Sequence, residues 1–200
     1  MNEDTRAVID GLDRALAESG LTQAEFAAAL GTSAPRFSAY RAGKTSPSAA
    51  FYLRALRLSA SLRAASERGW MTPPSTSRQI RRALRQGDDL WALKMALQGR
   101  DQLRELLHRN DEAVAAWASA PRTTGERAWD AFFAALTEHE FDAADREAPS
   151  WTEDDRTRLT EDEEWILPSL LLDEDEVRAS TPAWLAKHGV YAAERDLVTA

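Results

Sequence analysis

The chain has 200 residues, 25 basic and 33 acidic, with a formal net charge of −8 and no cysteine. Without thiols there is no disulfide framework, thiolate zinc site, iron–sulfur cluster or cysteine nucleophile. An apolar content of 44% and a charged content of 29% are those of a globular chain, with room for one large domain or two small ones. No run approaches the roughly 20 apolar residues that span a bilayer, and the N-terminus has no apolar core of signal-peptide length. A soluble, cytoplasmic protein with no membrane partner is expected.

Helical signals follow one another along the chain, and almost nothing reads as strand. Val8, Ile9, Leu12 and Leu16 form one stripe of a helix over 4–19 that Gly20 ends. Thr22 caps a second helix, and Glu25, three residues on, completes a capping box. Phe26, Ala27 and Leu30 are its apolar side, and Gly31 stops it. Thr32 or Ser33 caps a third helix with Pro35 in its first turn, Phe37 and Tyr40 inward, and Gly43 at its end. Ser46-Pro47-Ser48 starts a fourth, running to about Glu67. This helix carries two apolar stripes, Ala49, Leu53, Leu56, Ala60 and Phe51, Ala55, Leu58, Leu62, so its second face needs a partner subunit or later parts of the chain. Residues 69–77, with two prolines, read as a linker. Beyond it, Ile80, Leu84, Leu90, Trp91, Leu93 and Leu97 lie in helices interrupted near Gly87 and Gly99. Trp129, Phe132, Phe133 and Leu136 lie in another that Pro149 closes, and Trp184 and Leu185 in a last short one.

Charge divides the chain. Residues 1–78 carry a net +3, whereas residues 138–176 hold 16 acids against 3 bases, a net −13. The front can approach phosphates; the back is attracted to something basic.

Residues 21–48 read LTQAEFAAALGTSAPRFSAYRAGKTSPS. Two short helices joined at Gly31 leave the second exposed along one side, which suits a major groove roughly 12 Å wide. Gln23, at the start of the first, and the neighbouring N–H groups suit a phosphate. Ser33 caps the second and can donate to phosphate, and Lys44, with Thr45 beside it, can hold the backbone on the other side. Leu21, Thr22, Gln23, Glu25, Phe26, Ala27, Leu30, Gly31, Ser33, Phe37, Ser38, Tyr40, Gly43, Lys44, Pro47 and Ser48 fall on one pattern. It resembles the helix-turn-helix of the phage-repressor, or XRE-like, class, over roughly residues 5–66. The resemblance implies a lambda-repressor-like domain that binds operator DNA as a homodimer, with Ala34, Pro35, Arg36, Ser38 and Ala39 at the base-reading positions. Of these only Arg36 can make a bidentate pair with guanine. The class often has an acid where Arg41 stands; a cation there adds phosphate affinity or makes a different inward ion pair.

Six of the seven tryptophans lie beyond residue 90. Trp151 and Trp165 sit among acids without a clear amphipathic helix. EEWILPSLLLDEDE, residues 163–176, has an apolar centre flanked by carboxylates, which suits docking on a basic protein. Its candidate contacts are Trp151, Trp165, Ile166, Leu167, Leu170 and Leu171. Arg104 and His108, one helical turn apart, read as a surface pair, and Glu138-His139-Glu140 as a polar helix end. No phosphate loop, nucleophile elbow or metal-spaced His pair is present, so neither an enzyme nor a cofactor or metal is expected.

The expectation is an all-α protein: a DNA-binding domain over 1–68, a linker over 69–77, a helical domain over 78–148, and an acidic partner-binding or dimerisation segment over 149–200. Its expected function is that of a repressor acting as the antitoxin of a toxin–antitoxin pair, binding a basic toxin and its own operator. The alternative is a repressor whose tryptophan-rich half senses a small molecule.

Overall fold

The computed structural model describes residues 3–160 and 162–198. It is mainly helical, 67% of the chain, and no helix among the described residues is long and apolar enough to cross a membrane. Two compact units divide it: Met1–Pro73 with Arg109–Ala120, and Pro74–His108 with Pro121–Ala200.

The first unit holds α1 (Glu3–Ser19), α2 (Gln23–Ala29), α3 (Ala34–Arg41), α4 (Ala49–Arg68) and a 3-10 turn over Glu112–Ala118. α1 and α4 lie against each other closely enough that a Cβ on Gly11 would collide with the Tyr52 ring. Leu12, Phe26, Phe37, Phe51 and Leu58 fill the space between the four helices. Of the two stripes on α4, the one with Phe51, Ala55 and Leu58 is buried, while Leu53 and Leu56 stay 54% and 38% exposed. The later part of α4 is covered by the 3-10 turn. The Ser61 hydroxyl donates to the Glu112 carbonyl at 2.6 Å, and Arg68 holds Asp111 at 3.0 and 3.1 Å. Residues 109–120 therefore return to the first unit, which the division at residue 68 does not anticipate.

The second unit is built on α7 (Arg127–Ala143), in which every residue from Trp129 to Thr137 is buried. α6 (Asp89–His108) packs on it, and α5 (Pro73–Leu84) starts inside the segment read as a linker. Gly87 does interrupt the chain, at φ 68°, but Gly99 does not: it lies inside α6, where an added Cβ would sit 2.8 Å from the Thr76 side chain. Close packing of α5 on α6 is what requires glycine there. α7 stops at Ala143 rather than running to Pro149. Asp145 turns the chain at φ 52°, and the Arg146 N–H donates to the Phe141 carbonyl, a left-handed stop made without glycine. Beyond it come β1 (Trp165–Ile166) and β2 (Val190–Tyr191), paired in parallel, with α8 (Glu174–Ser180) and α9 (Ala183–Ala186) between them.

Candidate functional site

In the first unit, α3 is fixed on one side and open on the other. Ser33 caps it, its hydroxyl accepting the Arg36 N–H at 3.4 Å, and Pro35 occupies the first turn. Phe37 and Tyr40 point inward. Phe37 lies 5.5 Å from Phe26 of α2 and 6.4 Å from Phe51 of α4, and Tyr40 lies 5.1 Å from Phe51. This run of rings seats α3 on both neighbouring helices, since each ring buries a large area and offset pairs add to it. On the opposite side Pro35, Arg36 and Ser38 are exposed, and Ala34 and Ala39 are half-buried at its borders.

Arg36 is aimed along the helix. Its Nε donates to the Tyr40 hydroxyl at 2.8 Å and its guanidinium lies 5.9 Å from the Tyr40 ring centre. The two terminal nitrogens remain for an end-on bidentate contact. At the other end, Gly43 adopts φ 66°, and the Lys44 N–H donates back to the Ala39 carbonyl at 3.0 Å. That reversal carries Lys44 and Thr45 to the surface just past α3, where both are exposed.

Gln23 and Arg41 act differently from a pair of free phosphate contacts. The Gln23 carbonyl oxygen accepts from Arg41 at 2.6 Å, and its amide donates to the Ala34 carbonyl at 3.4 Å. Arg41 Nε is paired with Asp13 of α1. Arg41 thus takes the inward ion pair of its two open roles, tying α1, α2 and α3 together. Gln23 braces the joint between α2 and α3 and keeps one amide hydrogen for another acceptor. Glu25 closes the capping box as expected, accepting from the Thr22 N–H and hydroxyl at 2.9 and 2.8 Å.

The partner-binding residues expected in the second unit separate into two groups. Trp151 is 3% exposed and stacked on Phe133 with ring centres 5.7 Å apart, and Leu167 is 4% exposed. Trp165 packs against Trp129 and Phe132 at 5.2 and 6.0 Å, and Ile166 is half-buried in β1. These four are wholly or partly core, a correction to their reading as docking residues. Trp151 is buried from a 3-10 turn and Leu167 from the position just past a two-residue strand, and neither segment leaves a helical period to read. Leu170 and Leu171 are instead 90% and 69% exposed.

A polar cluster escaped the sequence reading. Arg104 does not pair with His108; its Nε and a terminal nitrogen grip Glu140 at 2.9 and 2.7 Å, and Glu140 is 4% exposed. The hydrogen bond to Glu140 holds the Arg104 pKa above its ordinary value. His139 lies flat on Trp184, rings 4.0 Å apart, and burial lowers its pKa. Arg100, 5% exposed, donates to the Leu197 carbonyl at 2.7 Å. Arg100, Arg104, His139, Trp184 and Leu197 line a cleft of about 390 Å³. Glu138-His139-Glu140 is therefore a packed segment rather than a solvated helix end, and no local signal reveals partners 36 residues apart. A second cleft, of about 400 Å³, has an apolar wall that includes Leu90, Trp91 and Leu97 and a charged edge of Asp88, Lys94 and Asp196. Among the described residues no cluster of three or more His, Asp or Glu side chains is placed to hold a metal ion.

Comparison with family models, with curated proteins and with solved structures finds no match for this chain.

Proposed function

We propose that the first unit is a sequence-specific DNA-binding domain of the lambda-repressor-like kind and that the protein is a transcriptional repressor. The observation that carries this is the two-sided character of α3: Phe37 and Tyr40 hold one side against α2 and α4, while Arg36 and Ser38 stand on the other with Lys44 beyond the end. A helix presented in this way can lie in a major groove, its side chains on base edges and flanking groups on phosphates. Arg36 reads a guanine end-on, Ser38 and the methyl groups of Ala34 and Ala39 contact neighbouring bases, and Ser33, Lys44 and Thr45 hold the backbone. One bidentate pair per subunit is little discrimination, so the protein works as a dimer on a palindrome. Selection of bound duplexes from a random pool by the full-length chain tests this. An enriched palindrome with a guanine in each half-site is expected; no enrichment over the starting pool refutes it.

For the second unit the proposal is neutralisation of a basic partner, as in an antitoxin, supported by the net −13 over residues 138–176. A small-molecule sensor is the second reading, favoured by the cleft around Trp91, apolar on one wall and charged at its edge. Saturable quenching of tryptophan fluorescence by a metabolite, lost in Trp91→Phe, would choose the sensor.

A further inference from the structure

We infer that Leu170 and Leu171, with the carboxylates that follow them, form the docking surface for that basic protein; the inference rests on the neutralising role proposed for the second unit. The two leucines are not on a loose tail. On the entry side Leu167 is buried and its N–H donates to the Tyr191 carbonyl at 2.8 Å, continuing the β1–β2 pairing. Pro168 and Ser169 follow, and the Leu171 N–H is turned back toward the Ser169 hydroxyl at 3.4 Å. On the exit side Asp173 caps α8: its carboxylate accepts the Glu176 N–H at 2.9 Å, and Glu176 accepts the Asp173 N–H at 3.0 Å. Val177, 1% exposed, seats that helix. Two large apolar side chains are thereby held outward between fixed points, and Leu170 is the most exposed large hydrophobic residue among those described.

The occupant follows from the charge around them. Residues 162–176 contain seven acids and no base. Glu163 and Glu164 are neutralised by Arg127 and Arg178, at 3.5 and 2.7 Å. No cation among the described residues lies within ion-pair distance of Asp173, Glu174, Asp175 or Glu176, all of which are exposed; Arg178, held by Glu164, is near enough for Glu174 to act on its charge. A nucleic acid, an anionic membrane surface and a second copy of this same patch are all repelled by such a flank. A protein presenting an apolar depression rimmed with Lys and Arg is attracted by it. Burial of the leucines then supplies affinity while the carboxylates speed the encounter.

The probe is the purified protein encoded by the reading frame adjacent to that of this chain, titrated against the full-length chain, against L170S/L171S and against R36A. Both leucines are solvent-exposed, so unchanged circular dichroism and melting are expected for L170S/L171S and are checked first. The expected result is a basic probe that binds the parent chain and R36A equally, binds L170S/L171S about 100-fold more weakly, and binds all of them less well as salt rises. Equal binding to L170S/L171S overturns this surface and leaves the neutralising role standing elsewhere in the unit. No binding to the parent chain, or an acidic probe, overturns both. If L170S/L171S instead dissociates a dimer of this chain in sedimentation, the occupant is a second copy and the inference fails.

Discussion

Arg104→Ala should be costly although Arg104 itself is half-exposed. The substitution removes two charge-assisted hydrogen bonds, at 2.9 and 2.7 Å, and leaves the Glu140 carboxylate without its partner at 4% exposure. Breaking one side of a fully buried pair costs about 3–5 kcal/mol. Here the arginine side chain is 56% exposed, so water can enter where it was, and the loss falls to about 2–3 kcal/mol. Replacing both partners, as in R104A/E140L, removes the stranded charge and should recover at least half of that. Urea unfolding followed by tryptophan emission is a suitable assay, because five of the seven tryptophans lie in the second unit. A loss below about 0.5 kcal/mol, within the range of an ordinary surface substitution, would show that the pair does not hold α6 to α7. A double variant less stable than R104A would show that the cost does not come from the carboxylate.

Three other consequences can be measured. Burial lowers the His139 pKa from 6.5, so the unfolded chain takes up that proton first; its contribution is full above that value and is lost as pH falls below it. His139→Phe, which keeps a ring on Trp184, should flatten the fall in melting temperature between about pH 7.5 and about pH 5.5; an unchanged slope would contradict it. Gly99→Ala should destabilise by about 1–3 kcal/mol in denaturant unfolding, since the new methyl meets Thr76 at 2.8 Å, and a stabilised variant would contradict that packing. Lys44→Ala should weaken binding to all duplexes alike and lower the salt slope by about one charge; an unchanged slope removes Lys44 from the phosphate contacts.

Much of the first unit was legible because its stops and starts are local. Thr22 with Glu25, Ser33 with Pro35, and Gly20, Gly31 and Gly43 each act within a turn, and the helices end where those residues place them. What stayed hidden depends on partners far along the chain. The cover of α4 by Glu112–Ala118 is a contact some 50 residues distant, the Asp13–Arg41 pair spans 28, and the Arg104–Glu140 pair spans 36. Gly99 resembled a helix breaker because its need is tertiary: room for Thr76. Trp151 and Leu167 resembled surface because the acids around them outnumber them, yet both are buried, Trp151 in a 3-10 turn and Leu167 just past a two-residue strand, segments too short to show a period.

The reading edge on α3 is tested most directly by titrating the parent chain and Arg36→Ala with the selected operator and with a random duplex at one fixed salt concentration. The end-on guanine contact predicts a loss of about 1–3 kcal/mol on the operator, roughly 5- to 150-fold, with a much smaller change on the random duplex. Equal losses on the two duplexes, or none on either, would contradict the placement of α3 in the groove.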